Sequence, residues 1–115
     1  MVKYPSEPGT TFTALGDPKR QRLVHLVAAG TRSPSALAKE VGLSLPGTLK
    51  HLTVLERAGL VTRSKAGRTV TVSLRPEPMA EAEEWLQRTR MFWTHQLGNL
   101  AESFSTTSPN AEEPS

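Results

Sequence analysis

A short run of hydrogen-bonding and cationic side chains between residues 44 and 51 is the part of this 115-residue sequence best suited to chemistry. Thr48, Lys50 and His51 are interleaved with helically spaced leucines, and no acidic residue stands among them. Ammonium and imidazole N–H groups donate hydrogen bonds, and a threonine hydroxyl both donates and accepts. The chain has no cysteine, which excludes disulfides, thiolate metal sites and cysteine nucleophiles. These residues therefore favour the binding of an anion over covalent catalysis.

Charge is strongly segregated along the chain. Residues 17–75 contain eleven Lys and Arg against three acids, a net of +8, whereas residues 76–115 contain two Arg against seven acids, a net of −5. The first sixteen residues are balanced, so the whole chain carries +3. Because a uniformly solvated surface would not usually divide its charge in this way, we expect the central segment to face a polyanion.

Caps and apolar spacing predict the elements that position this run. Ser44 is a good N-cap, Pro46 suits a first helical turn, and Gly59 suits a helix end, so one helix is expected between Ser44 and Gly59. A shorter helix over residues 34–41 precedes it, and two short helices joined by a tight turn are typical of a helix-turn-helix motif. The outward face of the second helix is then expected to carry Gly47, Thr48, Lys50, His51 and Thr53.

A basic β-hairpin is predicted directly after the helix pair. Residues 69–74 alternate Thr or Ser with Val or Leu, the period of a β-strand, and a glycine-containing link joins them to an earlier strand over residues 60–64. Arg63, Lys65 and Arg68 make this hairpin cationic. A hairpin of this kind beside a helix-turn-helix indicates a winged helix; the alternative is a hairpin whose charges only solvate it.

The remaining sequence predicts three further helices and two loose ends. The helices are expected over residues 10–15, 18–29 and 79–104, giving a mainly α fold with a small β-hairpin in the order α-α-α-α-β-β-α. The last helix carries both tryptophans and Phe92 on one broad face that so small a domain cannot cover, which indicates a partner chain. Residues 10–104 are expected to form one domain, preceded by a flexible N-terminus at residues 1–9 and followed by a disordered tail at residues 105–115.

On these residues the sequence resembles the ArsR family of winged-helix repressors. Residues 12–20 are similar to the family's opening motif, residues 43–61 to its core pattern, and residues 67–74 to its wing. The resemblance covers about residues 10–104. It implies a homodimeric transcriptional repressor that binds a palindromic operator in double-stranded DNA, with the first and last helices as the dimer interface. A cytoplasmic location is expected, because no signal peptide or bilayer-spanning apolar run is present.

The expected site residues fall into two sets. DNA contact is expected from Ser33, Ser44, Pro46, Gly47, Thr48, Lys50, His51, Arg63, Lys65 and Arg68. Dimer contact is expected from Phe12, Leu15, Trp85, Leu86, Phe92, Trp93, Leu97 and Leu100. For His51 two interpretations stay open, contact with DNA and bracing of its own helix. Leu45 stands where the family commonly has a polar residue. Two interpretations stay open: it contacts a thymine methyl group, or it is a local sequence drift without a role in binding.

The sequence departs from the metal-sensing members of the family. The place of their Cys-x-Cys pair, residues 35–40, has no thiol, and the last helix has a single histidine, His95, which cannot supply a four-coordinate zinc site. No metal, cofactor, membrane contact or enzymatic activity is expected. The way in which DNA is released is left open among three alternatives: a small molecule between the long helices, a protein partner, and simple autoregulation by concentration. The alternative function is a winged-helix interaction module whose Trp/Phe face binds a protein other than itself.

Overall fold

The computed structural model describes residues 8–104, with side chains as far as residue 99. Its mainly helical fold with one antiparallel hairpin confirms the predicted element order. The predictions for residues 1–7 and 105–115 lie outside the described residues. Pro8 is buried and Gly9 begins the first helix, so the folded part starts slightly earlier than expected. The elements are α1 (Gly9–Ala14), α2 (Pro18–Ala29), α3 (Pro34–Val41), α4 (Leu45–Arg57), β1 (Val61–Ala66), β2 (Thr69–Leu74) and α5 (Pro76–Phe104).

Local sequence signals set the ends of the three central helices. The side chains of Asp17, Ser33 and Ser44 each accept a hydrogen bond from an amide in the first turn of α2, α3 and α4, respectively. A proline stands in each of those first turns, where its missing N–H leaves no helical bond unmade. Gly42 ends α3 and Gly59 follows α4, both with φ of 77°, a conformation that favours glycine. These boundaries agree with the sequence prediction.

The core lies where α2, α3 and α4 meet the hairpin. One side of α4 supplies Leu52 and Leu55, and the hairpin contributes Val61 and Val72. The Arg32 amide donates to Val72 O over 3.3 Å, and the Val72 amide donates to Arg32 O over 2.7 Å. This isolated bridge fastens β2 to the loop between α2 and α3. Because β1 contacts α4, both strands of the hairpin are held against the helices. The largest fully buried apolar side chains are Leu23, Leu37, Leu52, Leu55, Leu60, Val61 and Val72.

The hairpin is tighter than predicted. The strands pair from Val61 opposite Leu74 to Ala66 opposite Thr69, which leaves a two-residue loop. The first loop residue, Gly67, has φ of 63° and the second does not have a positive φ, as in a type II′ turn. The prediction of a four-residue link over residues 65–68 was wrong, because Lys65 and Ala66 belong to β1.

The last helix begins at Pro76, three residues before the predicted start. Pro76 and Pro78 both fit the first turn of a helix, where proline removes no hydrogen bond, so the helix can begin before Met79. Near its start α5 packs against α1, and the rings of Phe12 and Trp85 meet edge to face with centroids 5.5 Å apart. Among the helices of residues 8–104, none has the length and apolarity needed to cross a bilayer.

Candidate nucleic-acid interface

The start of α4 presents a small polar surface. Ser44, Pro46 and Lys50 are exposed, and Gly47 is half-buried. The Ser44 hydroxyl accepts a hydrogen bond from the Gly47 amide over 3.1 Å, and a Cβ at position 47 would also come within 3.1 Å of that hydroxyl. Glycine at position 47 therefore leaves room for the cap. This end of α4 combines the positive end of the helix dipole with an exposed serine and an exposed cation.

Thr48 does not belong to this surface, and its predicted outward orientation was wrong. Its side chain has no exposed area, and its hydroxyl donates to Ser44 O over 2.9 Å. Thr48 shares the core side of α4 with Leu52 and Leu55. A threonine can be buried in this way because the preceding turn satisfies its hydroxyl. The prediction assigned it outward on polarity alone, and the structure removes it from the set of DNA contacts.

His51 is braced by a side chain from α2. A guanidinium nitrogen of Arg20 lies 3.3 Å from His51 Nδ1. Since a guanidinium can only donate, Nδ1 acts as the acceptor and the ring proton is assigned to Nε2. Arg20 also donates to Ala14 O over 2.6 Å and to Thr13 O over 3.4 Å. One side chain thus links the end of α1 to α4, which favours the bracing interpretation and leaves Nε2–H as a donor.

The same corner of the fold perturbs the carboxylate that caps α2. Hydrogen bonds from the Arg20 amide and, to a smaller extent, the Lys19 amide hold the pKa of Asp17 below its ordinary value of 3.8. The positive charge of Arg20 lowers this pKa further, and partial desolvation opposes it. The cap is therefore ionised at neutral pH.

The cationic side chains of the wing fall into two groups, those exposed to solvent and one that is paired within the fold. Arg68 is exposed in the hairpin loop, and Lys65 is exposed on β1. Arg63 was predicted to contact DNA with them, but its guanidinium donates to Glu56 Oε1 over 2.7 Å and to Thr53 Oγ1 over 3.2 Å. Its side chain is only 26% exposed. Arg63 therefore joins β1 to α4 within the fold, and its charge is already paired. The sequence held no signal for this pairing except the opposite charges.

A cleft of about 510 Å³ separates the start of α4 from the wing. It brings together predicted residues from three elements: Ser33 before α3, Arg63 on β1 and Arg68 in the hairpin loop. Leu45 and Leu49 form its α4 wall. Helix starts carry a partial positive charge and unpaired amides, so the start of α3 adds anion-binding character to the cleft. The full lining is Ser33, Pro34, Ser35, Leu45, Leu49, Arg63, Arg68, Thr69 and Val70.

A second uncovered surface has the opposite chemistry. Of the large hydrophobic side chains that are exposed in the described part of the chain, six are on α5. Among the predicted dimer residues, Phe12 and Trp85 are half-buried against each other, and Leu15 packs against the core. The Leu100 side chain lies outside the described residues. The six exposed residues are Met79, Leu86, Met91, Phe92, Trp93 and Leu97.

Residues 8–99 contain no cluster of three or more His, Cys, Asp or Glu side chains that could hold a metal ion.

A basic helix-turn-helix with a cationic wing defines the class of DNA-binding transcriptional regulators. Known proteins agree. Residues 15–64 match the family model of a helix-turn-helix domain. The HTH-type transcriptional regulator Rv2034 of Mycobacterium tuberculosis is 33% identical over 102 residues, covering 89% of this chain and 92% of that protein.

The solved structure of an ArsR family transcriptional regulator is 33% identical, with a TM-score of 0.71, and the match covers 82% of this chain and 97% of that one. The transcriptional repressor SdpR of Bacillus subtilis is 24% identical over 75 residues, covering 65% of this chain and 83% of that protein. This chain belongs to the ArsR family of winged helix-turn-helix transcriptional regulators. The predicted family, fold and DNA-binding regulatory function are thus confirmed.

Proposed function

We propose that this protein is a homodimeric repressor in the cytoplasm that binds a palindromic operator. The observation that carries the proposal is the pair of uncovered surfaces. One is cationic and lies at the start of α4 and the wing; the other is apolar and lies on α5. In a two-fold dimer formed through α5, the apolar surface would be covered, and the dimer would carry two copies of the cationic surface. Two α4 helices would then meet successive half-sites about 34 Å apart.

Each half-site is read by the start of α4 in the major groove. Lys50 donates to guanine acceptors or to phosphate, and His51 Nε2–H is a second donor on the same helix. The positive ends of the α3 and α4 dipoles, at Ser33 and Ser44, attract phosphates. Lys65 and Arg68 follow the DNA backbone beside the groove. Arg63 supports this surface from behind through its bonds to α4, rather than by direct contact with DNA.

The dimer is built on the exposed face of α5. Leu86, Trp93 and Leu97 are each more than half exposed and recur at helical spacing, so they form one continuous apolar stripe. Phe12 and Trp85, which pack against each other on a flank of α5, are expected at the edge of this interface. An apolar stripe of this length is stable in water when it is covered, and a second copy of the same stripe is the self-complementary solution.

The alternative is an interaction module whose α5 face binds a different protein. It is favoured by the same exposed stripe, and the two functions differ in solution mass and in DNA affinity. Light scattering on the purified full chain should give the dimer mass at micromolar concentration. Binding to a duplex selected from random DNA should weaken steeply as salt rises. A monomer without DNA affinity would contradict the repressor and support the module.

Repression itself is tested with a reporter placed behind the selected operator. Expression of the chain should lower reporter output, and a scrambled operator should abolish the effect. A rise in output would show an activator, which would contradict the repressor assignment while leaving DNA binding intact.

A further inference from the structure

Among residues 8–99, one large apolar side chain is exposed away from α5, and it stands at the start of the helix that the proposed function places in the groove. Leu45 is 42% exposed and is the first residue of α4. Side chains on an α-helix lean toward its N-terminus, so Leu45 projects beyond the first turn. The polar cap Ser44 precedes it, and Lys50 follows five residues later on the same helix. An exposed leucine here cannot contribute a hydrogen bond.

The surroundings of Leu45 make it part of an apolar wall rather than an isolated side chain. Leu45 and Leu49 are four residues apart on one flank of α4, and both line the cleft that faces the wing. Val70 on β2 lies across the same cleft. Ser33 and Arg68, which also line it, are suited to phosphate. The cleft therefore combines groups that hold the DNA backbone with an apolar side chain that has no role in holding phosphate.

Resting on the proposed function, we propose that Leu45 is a specificity-determining residue that reads the 5-methyl group of a thymine in each half-site. The thymine methyl is the apolar group that standard base pairs present in the major groove. Against guanine, adenine or cytosine, the leucine would remove water from a polar base edge without replacing its hydrogen bonds, which is unfavourable. The same contact therefore favours thymine and disfavours the other three bases.

The expected size of the effect follows from the area of one methyl group. Burying one such group strengthens binding by about fourfold, so removal of one methyl should weaken binding about fourfold, and removal from both half-sites about fifteenfold. These changes are small compared with loss of the whole site. They must therefore be measured on a duplex that differs by the methyl alone.

The test is a deoxyuridine scan of the selected operator with the purified full chain. Each thymine is replaced in turn by deoxyuridine, which removes the methyl and keeps every hydrogen-bonding group, and affinity is measured by fluorescence anisotropy at constant salt. The wild-type chain should show one position in each half-site with the fourfold loss. Leu45→Ala should bind the thymine and deoxyuridine duplexes equally, and Leu45→Met should recover the preference.

Two controls separate this inference from a general loss of binding. Gln87→Ala removes an exposed side chain from α5 away from the apolar stripe and should keep the wild-type ratio between the two duplexes. Circular dichroism establishes that each variant is folded. A selected duplex with no methyl effect at any thymine, or an effect that Leu45→Ala retains, would overturn the role of Leu45 while leaving the proposed function standing. Failure to select any duplex would overturn both.

Discussion

The two uncovered surfaces of this chain differ in chemistry and in how the fold holds them. The α4 surface carries short polar groups, cations and a single exposed leucine, whereas α5 exposes six large hydrophobic side chains as far as residue 99. Exposed cations suit a hydrated polyanion, and exposed aromatic and aliphatic groups suit a protein surface. The difference indicates two separate partners, one for each surface.

The supports of the two surfaces differ as well. α4 is fixed on several sides: Leu52 and Leu55 anchor it in the core, Arg63 ties it to β1, and Arg20 ties it to α1 and α2. The later turns of α5 have no such ties, and all the described side chains from residue 90 to 99 are exposed. Changes to the apolar face of α5 should therefore affect assembly before folding, whereas changes around α4 should affect both stability and binding.

The largest effect is expected from a charge on the apolar stripe. Trp93→Glu would place a carboxylate where a second copy should pack, and burying it without a partner is strongly unfavourable. We expect a monomer by light scattering. Affinity for the two-half-site operator should fall by at least about a hundredfold, because the second half-site is no longer bound intramolecularly. Gln87→Glu adds the same charge to α5 away from the stripe and should remain dimeric. A dimeric Trp93→Glu variant would contradict the interface.

A smaller effect is expected at the wing. Arg68→Ala removes an exposed cation from each subunit and should weaken operator binding by about tenfold at moderate salt. The slope of log affinity against log salt should become shallower by about two, one unit for each subunit. Arg88→Ala removes the same charge from α5, where it pairs with Glu84 over 3.3 Å, and should change neither quantity. An unchanged slope for Arg68→Ala would remove the wing from the interface.

The link between α1 and α4 should show mainly in stability. Arg20→Met removes the donors to Ala14 O, Thr13 O and His51, at an expected loss of about 1–3 kcal/mol in the free energy of unfolding measured in urea. Lys19→Met, at the exposed neighbouring position, should leave stability nearly unchanged. Operator affinity should fall less than for Arg68→Ala. A stable Arg20→Met variant with greatly weakened binding would instead make Arg20 a direct DNA contact.

Sequence reasoning succeeded where the determinants are local. The starts of α2, α3 and α4 follow from the caps Asp17, Ser33 and Ser44, each followed by a proline in the first helical turn. These determinants are local because a cap acts on amides only two or three residues away. It failed where the tertiary environment decides. The polarity of Thr48 indicated solvent, yet its own helix satisfies the hydroxyl and its position in the helical period places it in the core.

The same contrast explains why the roles of two arginines could not be predicted from the sequence. The partners of Arg63 and Arg20 come from other elements, and both pairings depend on how α4 is docked. Nothing in the spacing of these residues distinguishes a cation that binds DNA from one that is paired within the fold. The functional class could be predicted because it depends on the sum of many charges and caps. Individual contacts could not, because each depends on a single tertiary distance.

The smallest effect, and one confined to the α4 side, is the pH dependence contributed by Asp17. Its pKa is lower in the folded chain than its ordinary value of 3.8, so the carboxylate stabilises the fold above that value and loses this contribution as the pH falls through the folded pKa. Asp17→Asn keeps a capping side chain but cannot ionise. It should therefore be less stable than the wild type in urea at pH 7, with the difference disappearing as the pH falls below 3.8. Gln87→Ala, an exposed change on α5 that alters no ionisable group, should show no such pH-dependent difference. A gap for Asp17→Asn that stays constant with pH would assign its effect to geometry alone.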